Sequence, residues 1–289
     1  ELLDRTGIDV ELWQPGIVHV AIDERSAVEL RTRVALQRQH GHHCDWLDAD
    51  EVRLRWPWLS ATTGALWAPR DGALAPERLV AALLRDAESR GARVVQDDVV
   101  ALEHDGQRVT GVRGKERYSA GTVVLAGGAW SGLIDGLPRP VSVQPVRGQM
   151  AALSWPANLP PAIVYNHDCY FLRRGDEALL GSTMEYAGFR PDVTPEGLAR
   201  IMAAAAGLYP PFWSAPLVRS WSGLRPVTPD GLPIVGPEPR LSGLWYATGH
   251  GRNGILLAGI TGVLVREGLD GAPPREELAA TRPERFWQW

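Results

Sequence analysis

The sequence predicts a mixed α/β protein of two domains, and three features predict it. Leu244–Ala247 is a short apolar strand pattern that runs through a glycine turn into an apolar helix pattern over 254–265. Residues 76–126 read as one helix followed by short strands. Residues 141–226 read as strand after strand with a single helix between, the texture of a mainly antiparallel sheet. A length of 289 residues suits two domains of ordinary size.

The elements follow in chain order. Residues 17–22 are a β-branched, apolar run and predict a strand. Residues 24–40 predict a helix with Val28, Leu30, Val34 and Leu36 as apolar positions and Gly41 as its stop. Asp48 is placed to cap a short helix holding Val52 and Leu54, which Pro57 ends. Trp46, Trp56, Trp58 and Trp67 are close in sequence and read as core aromatics. Pro76 suits a first helical position, and that helix runs to Arg90 before Gly91. Strands are then expected at 93–96, 99–103, 108–112 and 122–126, with Asp105-Gly106 turning one hairpin. Gly127-Gly128-Ala129-Trp130-Ser131 leads into a short helix. Further strands are expected at 143–153, 162–165, 170–173, 179–183 and 217–224. A helix over 195–208, capped by Thr194, interrupts them.

Composition narrows the class. Apolar residues make up 45% and charged residues 22% of the chain, as in a globular protein. A net charge of −4 leaves no basic footprint for nucleic acid. The longest apolar run, 254–265, is too short to span a bilayer, so no membrane partner is expected. The two cysteines, Cys44 and Cys169, form no disulfide framework and fit a reducing compartment such as the cytoplasm. His40, His42, His43 and Cys44 are the best metal candidates, but no second cluster completes a ligand set. No metal is expected. No G-x-S-x-G elbow supports a serine hydrolase.

The turn after Leu244–Ala247 carries Gly249, Gly251 and Gly254, and the helix begins near Asn253. A strand, a glycine turn and a helix N-terminus make an anion or polar-ligand site, because free N–H groups and the helix dipole point the same way. Residues 249–254 also satisfy G-x-G-x-x-G. A dinucleotide fingerprint needs a parallel strand after the helix, with an acidic residue near its end. Here the helix runs into Asp270-Gly271-Ala272-Pro273-Pro274 and a polar tail, so the motif is not read that way.

Four motifs together resemble the amino-acid oxidase family of flavoproteins, and within it the glycine oxidases of thiamine biosynthesis. They are Gly223-Leu224-Arg225-Pro226 with Thr228-Pro229-Asp230-Gly231, the run 247–258, Arg147-Gly148-Gln149-Met150, and Gly181-Ser182-Thr183-Met184-Glu185. They span most of the chain. Gly259 stands where the family usually has proline. The family also opens with a G-x-G-x-x-G turn for the FAD pyrophosphate. This chain opens instead at Glu1 with a stretch resembling a point well inside that fold, and reads as a fragment or a piece of a longer polypeptide.

The resemblance implies a two-domain flavoprotein oxidase fold with a truncated FAD-binding domain. That domain would hold 73–140 and 227–275, the substrate domain 10–72 and 141–226, and a C-terminal tail 276–289. It implies FAD as cofactor and a small amino acid or amine as substrate. A hydride would pass from the substrate to the flavin, leaving an imino acid for water to hydrolyse, and oxygen would be reduced to hydrogen peroxide. Arg225 would clamp the substrate carboxylate, since a guanidinium offers a planar fork of donors. Arg252 would lie at the same site, and Tyr170 and Met184 would line it. Val99 would meet the adenine through its backbone, and Gly127 and Gly128 the phosphate–ribose side. Gly249, His250, Gly251, Arg252, Asn253, Gly254, Ile255 and Leu256 would surround the flavin ring, with His250 a packing or backbone contributor. No side chain is expected to act as catalytic acid or base. A sarcosine oxidase, an amino-acid dehydrogenase, or a fragment that binds no FAD alone are the alternatives, and a homo-oligomer is allowed.

Overall fold

A computed structural model describes residues 1–273 and 275–286. Two compact units divide the chain. One comprises Glu1–Val94, Gly148–Met184 and Asp192–Ser222; the other comprises Val95–Arg147, Glu185–Pro191 and the residues from Gly223 onward. The helix Pro76–Ser89 belongs to the first unit, with residues 10–72, and not with 95–140. It packs along the short N-terminal helix Leu2–Thr6, and Arg5 pairs with Asp86 at 2.8 Å.

The first unit is built on an eight-stranded sheet. Its order is Leu217–Val227, Gln144–Ser154, Glu177–Gly181, Tyr170–Arg174, Ile163–Tyr165, Ile17–Ala21, Gly64–Ala68 and Asp45–Asp48, of which Gln144–Arg147 and Gly223–Val227 are counted with the second unit. From Gln144–Ser154 to the Asp45–Asp48 edge the pairings are antiparallel save Ile17–Ala21 with Ile163–Tyr165, which is parallel. Side chains alternate between faces along each strand. One face carries Val18, Val20, Ala65, Ala151, Leu153, Val164, Phe171 and Leu180, packed with Ile201, Ala205 and Leu208 of the helix Pro195–Leu208. Trp56, Trp58 and Trp67 pack against this core, as expected of them. The other face buries Ala152, Ile163, Leu172 and Leu179 under Trp13, Ile17 and Trp221.

Local chemistry sets the helix starts. Asp23 and Ser26 form a reciprocal capping box on Glu24–Gln39, and Asp48 and Glu51 form another on Ala49–Arg55. Thr194 accepts from the Gly197 amide at 3.1 Å, as its position predicts. The fully buried Gln149 completes that cap: its Oε1 accepts from the Thr194 amide at 2.7 Å. In the turn between Tyr165 and Tyr170, Asn166 Oδ1 accepts from the amides of Asp168 and Cys169 at 3.0 and 2.7 Å. That is an Asx turn, and it returns the chain antiparallel.

The second unit has two three-stranded sheets. Ile234–Pro237, Leu244–Thr248 and Val123–Leu125 form one, with the last pair parallel. Ala101–His104, Val109–Arg113 and Arg117–Ser119 form an antiparallel meander, turned by Gly106 as expected. Tyr246, Ile234, Leu244, Leu241, Leu102, Val109 and Val141 make its core. Within that core Arg139 pairs with Glu238 at 2.5 Å, and Glu238 also accepts from the Tyr246 hydroxyl at 3.0 Å. The helix Gly254–Leu269 runs one turn further than its apolar pattern indicated.

Two expectations need correction. Residues 93–96 are not a strand: Val94 and Val95 are more than half exposed or close to it, and no strand pairs with them among the described residues. The strand expected from Val99 begins at Ala101. Within the residues assigned to the C-terminal tail, Glu276–Thr281 is helical and Pro283–Phe286 forms a 3-10 turn. The last residues of the expected tail, Trp287–Trp289, lie outside the described residues. Strands at Asp45–Asp48, Gly64–Ala68 and Ile234–Pro237 were not foreseen, being short and close to glycine or proline.

Candidate functional site

In the second unit the site begins at the end of the Leu244–Thr248 strand. Thr248 is buried, and its hydroxyl lies 2.7 Å from that of Ser131. Both hydroxyls donate to the Gly128 carbonyl, at 3.1 and 2.8 Å. The two glycine turns expected to meet the cofactor, 127–131 and 249–254, are therefore bound to each other. Sequence reasoning missed this link. Its only signal was a small hydroxyl residue at each turn.

Gly249 and Gly251 both have positive φ, +76° and +54°. A Cβ on Gly249 would stand 2.6 Å from Thr228 Cγ2, whereas one on Gly251 would find only Val227 Cγ2 at 4.0 Å. Gly254 has ordinary helical space: a Cβ there would meet His250 Cβ at 3.7 Å, so close backbone approach does not explain it. The Gly251 amide donates to the Pro226 carbonyl at 2.8 Å, and Val227 bridges His250. Arg225 and Arg252 thus lie on two backbone segments joined by that bond. Arg225 is half-buried and Arg252 exposed. Among the described residues Arg252 has no ion-pair partner.

Asn253 precedes Gly254–Leu269 without a side-chain cap. The first ladder bond is Leu257 to Asn253, so the amides of Gly254, Ile255 and Leu256 have no acceptor among the described residues. Leu256 is 81% exposed and Ile255 is also exposed. A helix N-terminus with open donors beside exposed apolar side chains fits a flat, partly polar, partly apolar group such as a flavin ring. His250 turns inward: its Nε2 lies 2.9 Å from Thr261 Oγ1, and burial lowers its pKa. That shift favours the uncharged ring.

The neighbouring Thr228-Pro229-Asp230-Gly231 motif is scaffold. Asp230 receives Arg285 through two bonds, at 2.7 and 3.2 Å, and the Leu232 amide at 3.0 Å. The Arg285 bond leads in drawing its carboxyl down to about 2. Val99 makes no hydrogen bond among the described residues and is exposed, which leaves its backbone open. Gly128 takes φ +55° at the start of the Gly128–Leu133 turn, while Gly127 does not need a positive φ.

In the first unit Tyr170 is half-buried and Met184 exposed. The Arg147–Met150 and Gly181–Glu185 motifs prove to be neighbours. Gly181 pairs with Met150, and the Gln149 amide donates to Thr183 Oγ1 at 2.9 Å. Within the second unit, Arg147 and Glu185 join through a backbone bridge and a largely buried ion pair. The Tyr170 hydroxyl donates to Met150 Sδ at 3.2 Å. The ring of Tyr165 stacks on Tyr170 at 4.9 Å and 20°. Sequence reading had no signal for Tyr165. Of the metal candidates, Cys44 is buried while His40, His42 and His43 are exposed, and no group of three metal-binding side chains occurs among the described residues. No helix among them is long and apolar enough to cross a membrane.

A family described as FAD dependent oxidoreductase matches residues 1–267. The glycine oxidase of Geobacillus kaustophilus is 35% identical over 286 residues, covering 96% of this chain and 76% of that protein. A hydrogen cyanide synthase subunit of Pseudomonas aeruginosa is 33% identical, covering 92% of this chain and 65% of that protein. The crystal structure of the Geobacillus glycine oxidase superposes with a TM-score of 0.92 at 33% identity, over 98% of this chain and 78% of that one. The mixed α/β fold with an antiparallel-sheet unit is the fold of that oxidase.

Proposed function

Because the chain belongs to the family of FAD dependent oxidoreductases, we propose that it serves the oxidation of glycine or another small amino acid, with oxygen as electron acceptor. The observation that carries this reading is the Gly251–Pro226 hydrogen bond, which ties the Arg225 strand end to the Arg252 turn beside an uncapped helix N-terminus. Arg225 receives the amino acid's carboxylate in its planar fork of donors. Arg252 adds positive charge at the same turn. Within the first unit, Tyr170 and Met184 are the residues assigned to substrate contact.

Residues 249–256 would hold the isoalloxazine, and the open amides of Gly254, Ile255 and Leu256 would supply it with hydrogen-bond donors. Gly127, Gly128 and the Val99 backbone serve the remainder of the cofactor. FAD, when bound, supplies the two-electron acceptor for the substrate's α-carbon hydrogen. The helix N-terminus offers partial positive charge where negative charge gathers on reduction. No protein base is assigned: His250 is half-buried, bonded to Thr261 and biased by its partial burial toward the uncharged form.

The test is spectroscopic and kinetic. Purified protein reconstituted with FAD is expected to reduce its bound flavin on addition of glycine or a small D-amino acid, and to release peroxide in air. Flavin that stays oxidised with every amino acid tried refutes the reading. Reduction by amino acid with turnover only on an artificial electron acceptor would mark a dehydrogenase instead.

A further inference from the structure

The sheet of the first unit carries one row of side chains of which the reading above uses only Tyr170. Register places His19 opposite Tyr165, Tyr165 opposite Tyr170, Tyr170 opposite Gly181 and Gly181 opposite Met150. Period-two alternation puts all five on one face. The next row on that face, with Ala152, Leu179, Leu172 and Ile163, is buried. In this row Met150, Tyr170, Tyr165 and His19 are all half-buried, so the covering of the face stops here.

The row is packed edge to edge. His19 lies 5.2 Å from Tyr165, which stacks on Tyr170 at 4.9 Å. The Tyr170 hydroxyl donates to Met150 Sδ at 3.2 Å. Gly181 lies beneath the last two: a Cβ there would stand 2.3 Å from Met150 Sδ, 2.9 Å from its Cε and 3.0 Å from Tyr170 Cζ. The missing side chain at 181 is what lets the thioether cross the strand and reach the phenol. Tyr170 is thereby held on its face by Tyr165 and at its hydroxyl by Met150.

We infer that Met150, seated over the bare Gly181, is a specificity-determining residue that fixes Tyr170 and limits the room for the amino acid's side chain. This rests on the reading that Tyr170 borders the substrate. A thioether is unbranched and polarisable, so it fills the gap over Gly181 and still accepts a hydrogen bond. Removing its terminal atoms frees volume next to Tyr170. A branched hydrocarbon of similar size keeps the volume and loses the acceptor.

The experiment uses the FAD-loaded protein with glycine and D-2-aminobutyrate as paired substrates, on wild type, Met150→Ala, Met150→Leu and Arg225→Ala. Flavin content and melting temperature are recorded for each. Two carbons in a pocket discriminate by roughly 10–200-fold for each methylene. Met150→Ala is therefore expected to raise the kcat/KM ratio of D-2-aminobutyrate to glycine at least about tenfold. Met150→Leu should leave that ratio within about threefold of wild type and raise KM for both substrates. A ratio unmoved in Met150→Ala, with Arg225→Ala still losing kcat/KM on both substrates, overturns this inference and leaves the proposed function standing. If Arg225→Ala loses nothing on either substrate, the functional reading fails, and this inference with it. A Met150→Ala protein that does not fold hands the decision to Met150→Leu, where a ratio shift equal to the loss on glycine would refute size selection.

Discussion

The Gly251 amide donates to the Pro226 carbonyl at 2.8 Å. That single bond makes one local structure of two motifs that stand more than twenty residues apart, and it brings Arg225 and Arg252 onto adjoining backbone. What each arginine does can be separated by substitution.

Arg225→Ala is expected to weaken amino-acid binding by roughly 2–5 kcal/mol, because a desolvated carboxylate loses its partner. Arg225→Lys keeps the charge and loses the fork, so it should not restore activity. The loss should appear in kcat/KM for the amino acid and be much smaller for its decarboxylated amine. Steady-state peroxide release with both substrates checks this. Equal losses on the two would assign Arg225 to the fold.

Gly249 and Gly254 should differ sharply. At Gly249 a valine meets both a positive φ and Thr228 Cγ2 at 2.6 Å, so Gly249→Val is expected to cost roughly 2–4 kcal/mol and to lower flavin content. Gly254→Ala meets only ordinary contact and should leave the melting temperature unchanged or slightly raised. Calorimetry of both variants beside flavin absorbance decides it. Similar melting temperatures would show the turn at 249 to be more plastic than its geometry implies.

The Arg139–Glu238–Tyr246 cluster should be costly to break. Glu238 has a fully buried side chain and Arg139 is 5% exposed. Glu238→Ala removes the carboxylate that pairs with the buried guanidinium and is expected to destabilise by about 3–5 kcal/mol. Tyr246→Phe removes one hydrogen bond to a charged group, worth about 1.5–3 kcal/mol. Urea unfolding followed by far-UV circular dichroism measures both, and a loss under 1 kcal/mol for Glu238→Ala would contradict the assignment.

His19 gives the stability a pH dependence. Burial first, then the nearby Arg33 charge, lowers its pKa to about 4. The unfolded chain, with an ordinary histidine near 6.5, binds the proton first as pH falls. Stability from this group is therefore complete above about pH 6.5 and declines down to about pH 4, by up to roughly 3 kcal/mol. Urea midpoints of wild type and His19→Gln at pH 7 and pH 5 test it. The wild-type midpoint should fall more than that of the variant, and parallel slopes would remove His19 as the cause.

Much of this was readable in the sequence where the signal is local. The caps at Asp48 and Thr194, the Gly106 hairpin and the strand–turn–helix at Leu244–Leu269 all depend on residues within a few positions of one another. The strand expected at 93–96 shows the limit: two valines have the propensity, yet a strand needs a neighbour, and none pairs with it among the described residues. The Thr248–Ser131 link, 117 residues apart, and the stacking of Tyr165 on Tyr170 are products of register. Register across a sheet is set by which strands become neighbours, and single residues carry no sign of it. Arg225 and Arg252 were reachable only through their motifs, since an isolated arginine has no local signature of its role.

The Asx turn at Asn166 holds the distance between Tyr165 and Tyr170 at five residues, with the two side chains directly opposite. Adding or removing one residue there would do more than alter a loop. With a side-chain period of two, it would carry Tyr170, Leu172 and Arg174 onto the face packed against the helix Pro195–Leu208 and move Phe171 to the face that Leu172 now occupies. The length of this connection is thus under as tight a constraint as the core, and natural or engineered variation in loop length is expected to avoid it.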